Sequence, residues 1–140
     1  MAHSQLPCPL FLLCSLLMLP TVLLELMPGG VITVPVTNKG VVEAAAFAVE
    51  KYNEGSKNTN YFKELRIVKA KSQVVSGAKY YLQVEIGKTV CEKGNEPMTF
   101  SDIQKCELVP IDQREKLTCN FQVLSRPWLK EIQLLGSFCS

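Results

Sequence analysis

The segment QVVSG, residues Gln73 to Gly77, lies between two stretches that each have the residue pattern of a β-strand. Before it, Phe62 to Lys71 is rich in alternating and β-branched residues. After it, Ala78 to Val90 alternates between apolar and polar positions. The apolar positions are Tyr80, Leu82, Val84 and Ile86. Because a period of two is typical of a strand with one buried face, the pattern predicts a β-hairpin whose tip is Gln73 to Gly77.

This tip carries two residues that turn chemistry does not explain. Gly77 supplies the backbone freedom that a tight turn needs, and Ser76 is a common turn residue. Val74 and Val75, in contrast, would be exposed to solvent at the tip. Either one valine folds back onto the domain and the other is incidental, or a partner surface covers them.

The first part of the chain has the pattern of a signal peptide. Leu10 to Leu24 is an almost uninterrupted apolar run, which is too short to span a bilayer. We expect residues 1–26 to be a signal peptide, cleaved between Thr21 and Met27, and residues 27–140 to be a secreted, extracellular domain. The alternative, a buried N-terminal helix, has no amphipathic pattern to support it.

Removal of residues 1–26 from the 140 would leave 114, which is enough for one compact domain but not for two. The mature chain would have 15 basic residues and 12 acidic ones, because Glu25 is removed with the signal peptide. Its net charge would therefore be +3. Basic and acidic residues are interleaved along the strands. We therefore expect neither a nucleic-acid footprint nor a membrane-binding patch.

Four cysteines remain after removal of the signal peptide: Cys91, Cys106, Cys119 and Cys139. An even number in a small secreted domain favours two disulfides, for which three connectivities exist. Sequential pairing, Cys91 with Cys106 and Cys119 with Cys139, would close two short loops, each stabilising by about 3 kcal/mol. A zinc site is the competing interpretation. It has little support, because the mature chain has no C-x-x-C pair and no histidine.

The pattern predicts one helix. Gly40 to Tyr52 has apolar residues at helical spacing, Asn38 is a plausible N-cap, and Asn53 with Gly55 a plausible stop. Further strands are predicted at Val31–Val36, Lys116–Ser125 and Lys130–Phe138, with a long loop at Cys91–Glu115. One helix and several strands in hairpin order indicate an α+β domain with an antiparallel sheet.

A second hairpin tip is predicted at Arg126, Pro127 and Trp128. Pro127 restricts the backbone of this turn and so holds Trp128 in one place. Burial of Trp128 in the core would be the ordinary expectation within a strand, but it fits a turn after proline less well.

Catalytic patterns are missing from the mature sequence. Without histidine, neither a Ser-His-Asp nor a Cys-His constellation can form. Each cysteine has a disulfide partner available, and Gly29-Gly30 lacks the context of a phosphate-binding loop. We therefore predict that the protein is not an enzyme and binds no cofactor and no metal.

Taken together, Gly29, the tip Gln73 to Gly77 and the Pro127-Trp128 tip resemble the motifs of the secreted cystatins. The resemblance extends over the mature chain and includes the helix, the stretch from Gly77 to Gly87 and the order of the four cysteines. The stretches Ser72 to Glu85 and Glu115 to Leu129 are similar to those of the reptilian branch found in snake venom glands. The resemblance implies one helix packed across a curved antiparallel sheet, with two disulfides.

The resemblance also implies reversible, competitive inhibition of papain-like cysteine proteases, of the cathepsin L, B and S type. Gly29 would approach the catalytic cysteine, while Met27 and Pro28 would extend into the non-primed subsites. The protease-binding residues would then be Gly29, Gln73, Val74, Val75, Ser76, Gly77, Pro127 and Trp128. The alternative function is a non-inhibitory secreted binding module with the same fold.

Two further expectations follow from the resemblance. Cystatins that also inhibit legumain share a Ser-Asn pair in the loop after the helix, whereas this chain has Ser56-Lys57-Asn58. With Lys57 in the place of the asparagine, legumain inhibition is not expected. We expect a monomer, with a domain-swapped dimer as the alternative.

Overall fold

The structure is a computed structural model that describes residues 30–140; the predicted signal peptide lies outside these residues. It has five strands and two α-helices in this part of the chain, in the order β1 (Val31–Thr33), α1 (Lys39–Gly55), β2 (Asn60–Val75), β3 (Gly77–Glu92), α2 (Phe100–Gln104), β4 (Lys116–Arg126) and β5 (Glu131–Cys139). Short 3₁₀ turns lie at Ile111–Gln113 and Pro127–Leu129. The predicted α+β class is confirmed.

The five strands form one antiparallel sheet in the order β1-β2-β3-β4-β5, and each strand pairs with its neighbour in the sequence of strands. Helix α1 packs across one face. Its buried alanines Ala44, Ala45 and Ala48 allow a close approach to Phe62 and Phe121 of the sheet. The apolar face predicted for β3 is the inner one, since Leu82, Val84 and Ile86 are all buried.

Helix α1 begins where the sequence predicts, because the Asn38 side chain accepts a hydrogen bond from the backbone N–H of Val41. It continues to Gly55, beyond the predicted end at Tyr52. Asn53 lies inside the last turn and is buried. Its amide group donates to the carbonyl oxygen of Phe62 (2.8 Å) and accepts from the Phe62 N–H (2.9 Å), which joins the helix to β2.

Two predictions of secondary structure are wrong in part. Strand β1 ends at Thr33 rather than Val36, since Pro35 has no N–H to continue a ladder. The long loop predicted at Cys91–Glu115 contains the short helix α2. The Thr99 hydroxyl caps this helix by accepting from the Asp102 N–H. With five residues, α2 is too short to show a helical period in the sequence.

The structure contains two disulfides with the sequential connectivity. Cys91 pairs with Cys106 and so ties down the segment that includes α2, and Cys119 of β4 pairs with Cys139 of β5. Among residues 30–140, neither α-helix is long and apolar enough to cross a membrane.

Candidate functional site

The first hairpin tip is tighter than the sequence predicts. Residues of β2 and β3 pair as far as Val75 opposite Gly77, which leaves Ser76 alone between the strands. Gly77 has a φ of 118°, a conformation that residues with a side chain rarely adopt. A Cβ atom at Gly77 would also lie 2.5 Å from the backbone oxygen of Ser125. Backbone conformation and close packing therefore both require glycine here.

Both valines of the first tip are accessible. Val74 is 58% exposed and Val75 is 40% exposed, so neither has folded back into the core. Gln73 is half-buried, and its side-chain oxygen accepts a hydrogen bond from the Tyr81 hydroxyl (2.9 Å). The tip thus presents two β-branched side chains on a fixed backbone.

The second tip is the 3₁₀ turn Pro127–Leu129, which has proline in its first turn. Lys130 closes the turn in the left-handed conformation (φ 51°), and its N–H donates to the carbonyl oxygen of Pro127 (2.9 Å). Trp128 is 65% exposed and is therefore not a core residue. Leu129, which is not among the predicted binding residues, is 59% exposed in the same turn. Its position directly after Trp128 in a three-residue turn is the signal that could have identified it.

Arg126 connects the two tips. Its Nε donates to the carbonyl oxygen of Ser76 (2.5 Å), and its Nη1 donates to Oε1 of Glu131 (3.0 Å). The same Glu131 oxygen accepts from Nε2 of Gln133 (3.0 Å). We call Gln73–Gly77 and Arg126–Leu129 together the hairpin edge. The sequence gives no signal for this role of Arg126, because Ser76 lies fifty residues away.

The structure brings two of the three predicted contact regions together. Both tips lie at one end of the sheet, and β1 begins at Val31, which is paired with Gln73. The chain therefore enters the sheet beside the first tip. The predicted trunk, Met27, Pro28 and Gly29, lies outside the described residues.

The pKa shifts in the described residues occur outside the hairpin edge. Burial raises the pKa of Glu64, and burial lowers the pKa of Lys93, whose ammonium group donates to the carbonyl oxygen of Ser56 (2.7 Å). A hydrogen bond from Arg66 lowers the pKa of Glu85. In residues 30–140, no group of three or more His, Cys, Asp or Glu side chains could hold a metal ion. The hairpin edge is therefore characterised by exposed apolar side chains on constrained turns.

Comparison with known proteins places this architecture in a family. Residues 29–128 of the chain match the sequence profile of a protein family described as "Cystatin domain". The chain belongs to the cystatin family, whose members are protease inhibitors.

Within the family, the chain is similar to cystatins of venomous snakes. It is 54% identical to a cystatin of Hoplocephalus stephensii over 143 aligned residues, which cover 100% of both chains. It is 55% identical to cystatin-1 of Crotalus adamanteus over 139 residues, with 99% of each chain covered.

Solved structures agree with the fold. The structure of dimeric human cystatin F matches with a TM-score of 0.73 and 33% identity, covering 81% of this chain and 88% of that one. The salivary cystatin of the soft tick Ornithodoros moubata matches with a TM-score of 0.66 and 25% identity, covering 81% and 99%.

Proposed function

We propose that the protein is a secreted, reversible and competitive inhibitor of papain-like cysteine proteases of the cathepsin L, B and S type. The hairpin edge would fill the active-site cleft of the protease. The observation that carries this proposal is the side-by-side position of the two exposed apolar tips, which Arg126 links directly. The tips would act as one surface rather than as two independent loops.

The geometry favours binding because the tips are already ordered. Strand pairing up to Val75 opposite Gly77 holds the first turn, for which Gly77 permits the positive φ. Pro127 and the hydrogen bond from the Lys130 N–H hold the second turn. A surface that is ordered before binding loses little conformational entropy when a partner covers it. Rigid aromatic and apolar side chains that become fully desolvated are typical binding hot spots. Trp128 and Val75 are the residues we expect to contribute most.

The N-terminal trunk completes the proposed inhibitor. We expect Gly29 to approach the catalytic cysteine, because glycine allows the closest approach of one backbone to another. Met27 and Pro28 would occupy non-primed subsites. The family match begins at residue 29, and Val31 enters the sheet opposite Gln73, both of which support a contact on this side of the first tip.

The proposed inhibitor cleaves no bond itself, so we expect no enzymatic activity and no cofactor. Legumain inhibition is not expected either. Ser56 caps α1, and its hydroxyl accepts from the N–H of Asn58 (3.1 Å). The Asn58 side chain accepts from the N–H of Asn60 (3.0 Å), while Lys57 is exposed in the position of the expected asparagine. The side-chain oxygen of Asn58 is thus engaged within the loop, and an assay with purified legumain should show full activity.

Titration of papain tests the proposal. The purified mature protein should inhibit hydrolysis of a fluorogenic peptide, and the apparent inhibition constant should increase linearly with substrate concentration. Activity should return on dilution, since inhibition is reversible. No inhibition at micromolar concentrations would refute the proposal and leave the non-inhibitory binding module as the function of this fold.

A further inference from the structure

The face of the sheet opposite α1 carries a row of basic side chains. Register places Arg66 opposite Glu85, Lys69 opposite Gln83, Lys71 opposite Tyr81 and Lys79 opposite Gln73. Alternate residues of β3 between these positions, Leu82 and Val84, are buried against the core. Arg66 and Lys69 are three residues apart, but an irregularity between Ile67 and Lys69 restores the pairing with alternate residues of β3. Since alternate residues of β3 point to the same face, the four basic residues share the outer face.

We infer that this outer face binds a sulfated polysaccharide. The four basic residues, Arg66, Lys69, Lys71 and Lys79, are called the basic row below. Alternate positions of a sheet strand are about 7 Å apart, so the three basic residues on β2 span roughly 14 Å. Lys79 of β3, opposite Gln73, extends the row to roughly 20 Å. A linear row of cations on a flat sheet matches a linear polyanion, and clustered basic residues are typical of heparin-binding surfaces. This inference goes beyond the proposed inhibition and does not depend on it.

Little negative charge opposes the basic row. Among the described residues of β2, β3 and β4, Glu85 is the one carboxylate that faces this side. It forms ion pairs with both Arg66 (2.8 Å) and Lys116 (3.7 Å). Lys69, Lys71 and Lys79 make no ion pair with a described residue. Glu64, although adjacent to basic residues in the sequence, is opposite Ile86 and so belongs to the inner face. Glu64 and the basic row, which are close in the sequence, thus lie on opposite faces of the sheet.

The surroundings of the row favour a carbohydrate. The Lys79 ammonium lies 5.0 Å from the ring centre of Tyr81. Tyr81 in turn borders a depression of about 250 Å³, whose polar lining includes Asn120 and Gln122. Amide groups and a phenol beside cations can bind sugar hydroxyls as well as sulfates, since they both donate and accept hydrogen bonds. Sulfated polysaccharides are also the abundant polyanions outside cells, where the predicted signal peptide would send the protein.

Binding to heparin tests this inference on the full mature chain. The native protein should bind immobilised heparin in 0.15 M NaCl and elute at higher salt, since counterion release makes such binding salt-dependent. The double variant Lys69→Gln/Lys71→Gln should bind at least about tenfold more weakly. The slope of its affinity against salt concentration, on logarithmic scales, should be smaller by about two. Lys57→Gln/Lys105→Gln, which removes the same charge from exposed sites outside the sheet, is the matched control and should bind as the native protein does.

Each other outcome would overturn the inference. Absence of binding in 0.15 M NaCl, or an equal loss in both double variants, would mean that the row is not a site. Equal affinity for desulfated heparin, duplex DNA or vesicles with anionic lipid would mean that the face does not select a sulfated polysaccharide. Both double variants should inhibit papain as the native protein does, so failure of this inference and failure of the proposed inhibition are distinguishable.

Discussion

At one end of the sheet, the hairpin edge exposes apolar side chains on two turns; at the other, the segment from Cys91 to Lys116 packs back onto the strands. Both disulfides lie toward this second end, which we call the disulfide end. There the Gln104 side chain accepts from the N–H of Glu64 (2.7 Å) and donates to its carbonyl oxygen (3.0 Å). Lys63 donates to the carbonyl oxygen of Cys106 (2.8 Å).

This difference suggests a division of roles along the sheet. Covalent and side-chain-to-backbone bonds at the disulfide end hold the strands in register. The hairpin edge can then keep exposed apolar residues in fixed positions, which is unfavourable for an isolated domain but favourable for binding. Substitutions at the hairpin edge should therefore change inhibition, and matched substitutions toward the disulfide end should change stability or nothing.

The largest effect on inhibition is expected for Trp128→Ala. Loss of a rigid exposed aromatic side chain should weaken papain inhibition by about 1 to 3 kcal/mol, mainly through faster dissociation. The melting temperature should not change, since the ring is not part of the core. Phe138→Ala is the control, because Phe138 is 69% exposed on β5 but lies toward the disulfide end. Equal weakening by both variants would contradict the assignment of the hairpin edge.

Gly77→Ala should affect both binding and stability. A side chain at positive φ costs about 1 to 2 kcal/mol, and the Cβ atom would also press on the Ser125 carbonyl. Urea denaturation should show this loss, together with weaker papain inhibition. At Gly136 the three heavy atoms nearest to an added Cβ atom would all belong to the Gln122 side chain, at 3.8 Å or more. Gly136→Ala should therefore leave both measurements unchanged, and a comparable loss there would refute the explanation.

A smaller effect is expected for Arg126→Gln. Loss of the hydrogen bond to the Ser76 carbonyl should let the two tips move independently and weaken inhibition by about 0.5 to 1.5 kcal/mol. Arg114→Gln is the counterpart at the disulfide end, where Arg114 Nε donates to the carbonyl oxygen of Val109 (2.6 Å). That variant should lose stability and keep its inhibition constant. An unchanged inhibition constant in Arg126→Gln would show that the link does not position the tips.

The smallest effect is a pH-dependent change in stability at Glu64. Burial raises the pKa of this carboxyl above its ordinary value of 4.5, and its Oε1 atom has no hydrogen-bond partner among residues 30–140. The unfolded chain therefore loses this proton at a lower pH than the folded chain does. Stability should fall as the pH rises from about 4.5 through the folded pKa.

Glu64→Gln should remove this fall in stability. Relative to the native protein, its melting temperature should be higher at pH 7, by at most about 4 °C, and should show no gain at pH 4. A gain of equal size at pH 4 and pH 7 would mean that the carboxyl does not titrate as described. Papain inhibition should be unchanged in Glu64→Gln.

Much of the architecture could be predicted from local patterns. The period of two identified β3 and its buried face, Asn38 identified the start of α1, and the exposed tips followed from Val74, Val75 and the Pro127-Trp128 pair. Helix α2 could not be predicted because its five residues contain no helical repeat. Leu129 was missed because an apolar residue near a predicted strand is ordinarily assigned to the core.

The sequence by itself determined the strands, the main helix, the two tips and the supply of four cysteines, because these depend on residue types a few positions apart. Only the tertiary structure decided which residues far apart in the sequence become neighbours. The bond from Arg126 to Ser76 and the packing of Gly77 against Ser125 join residues about fifty positions apart. The basic row likewise exists because strand register and pleat place lysines that alternate with other residues on one face. Such neighbours depend on strand pairing across the whole sheet, which no local pattern contains.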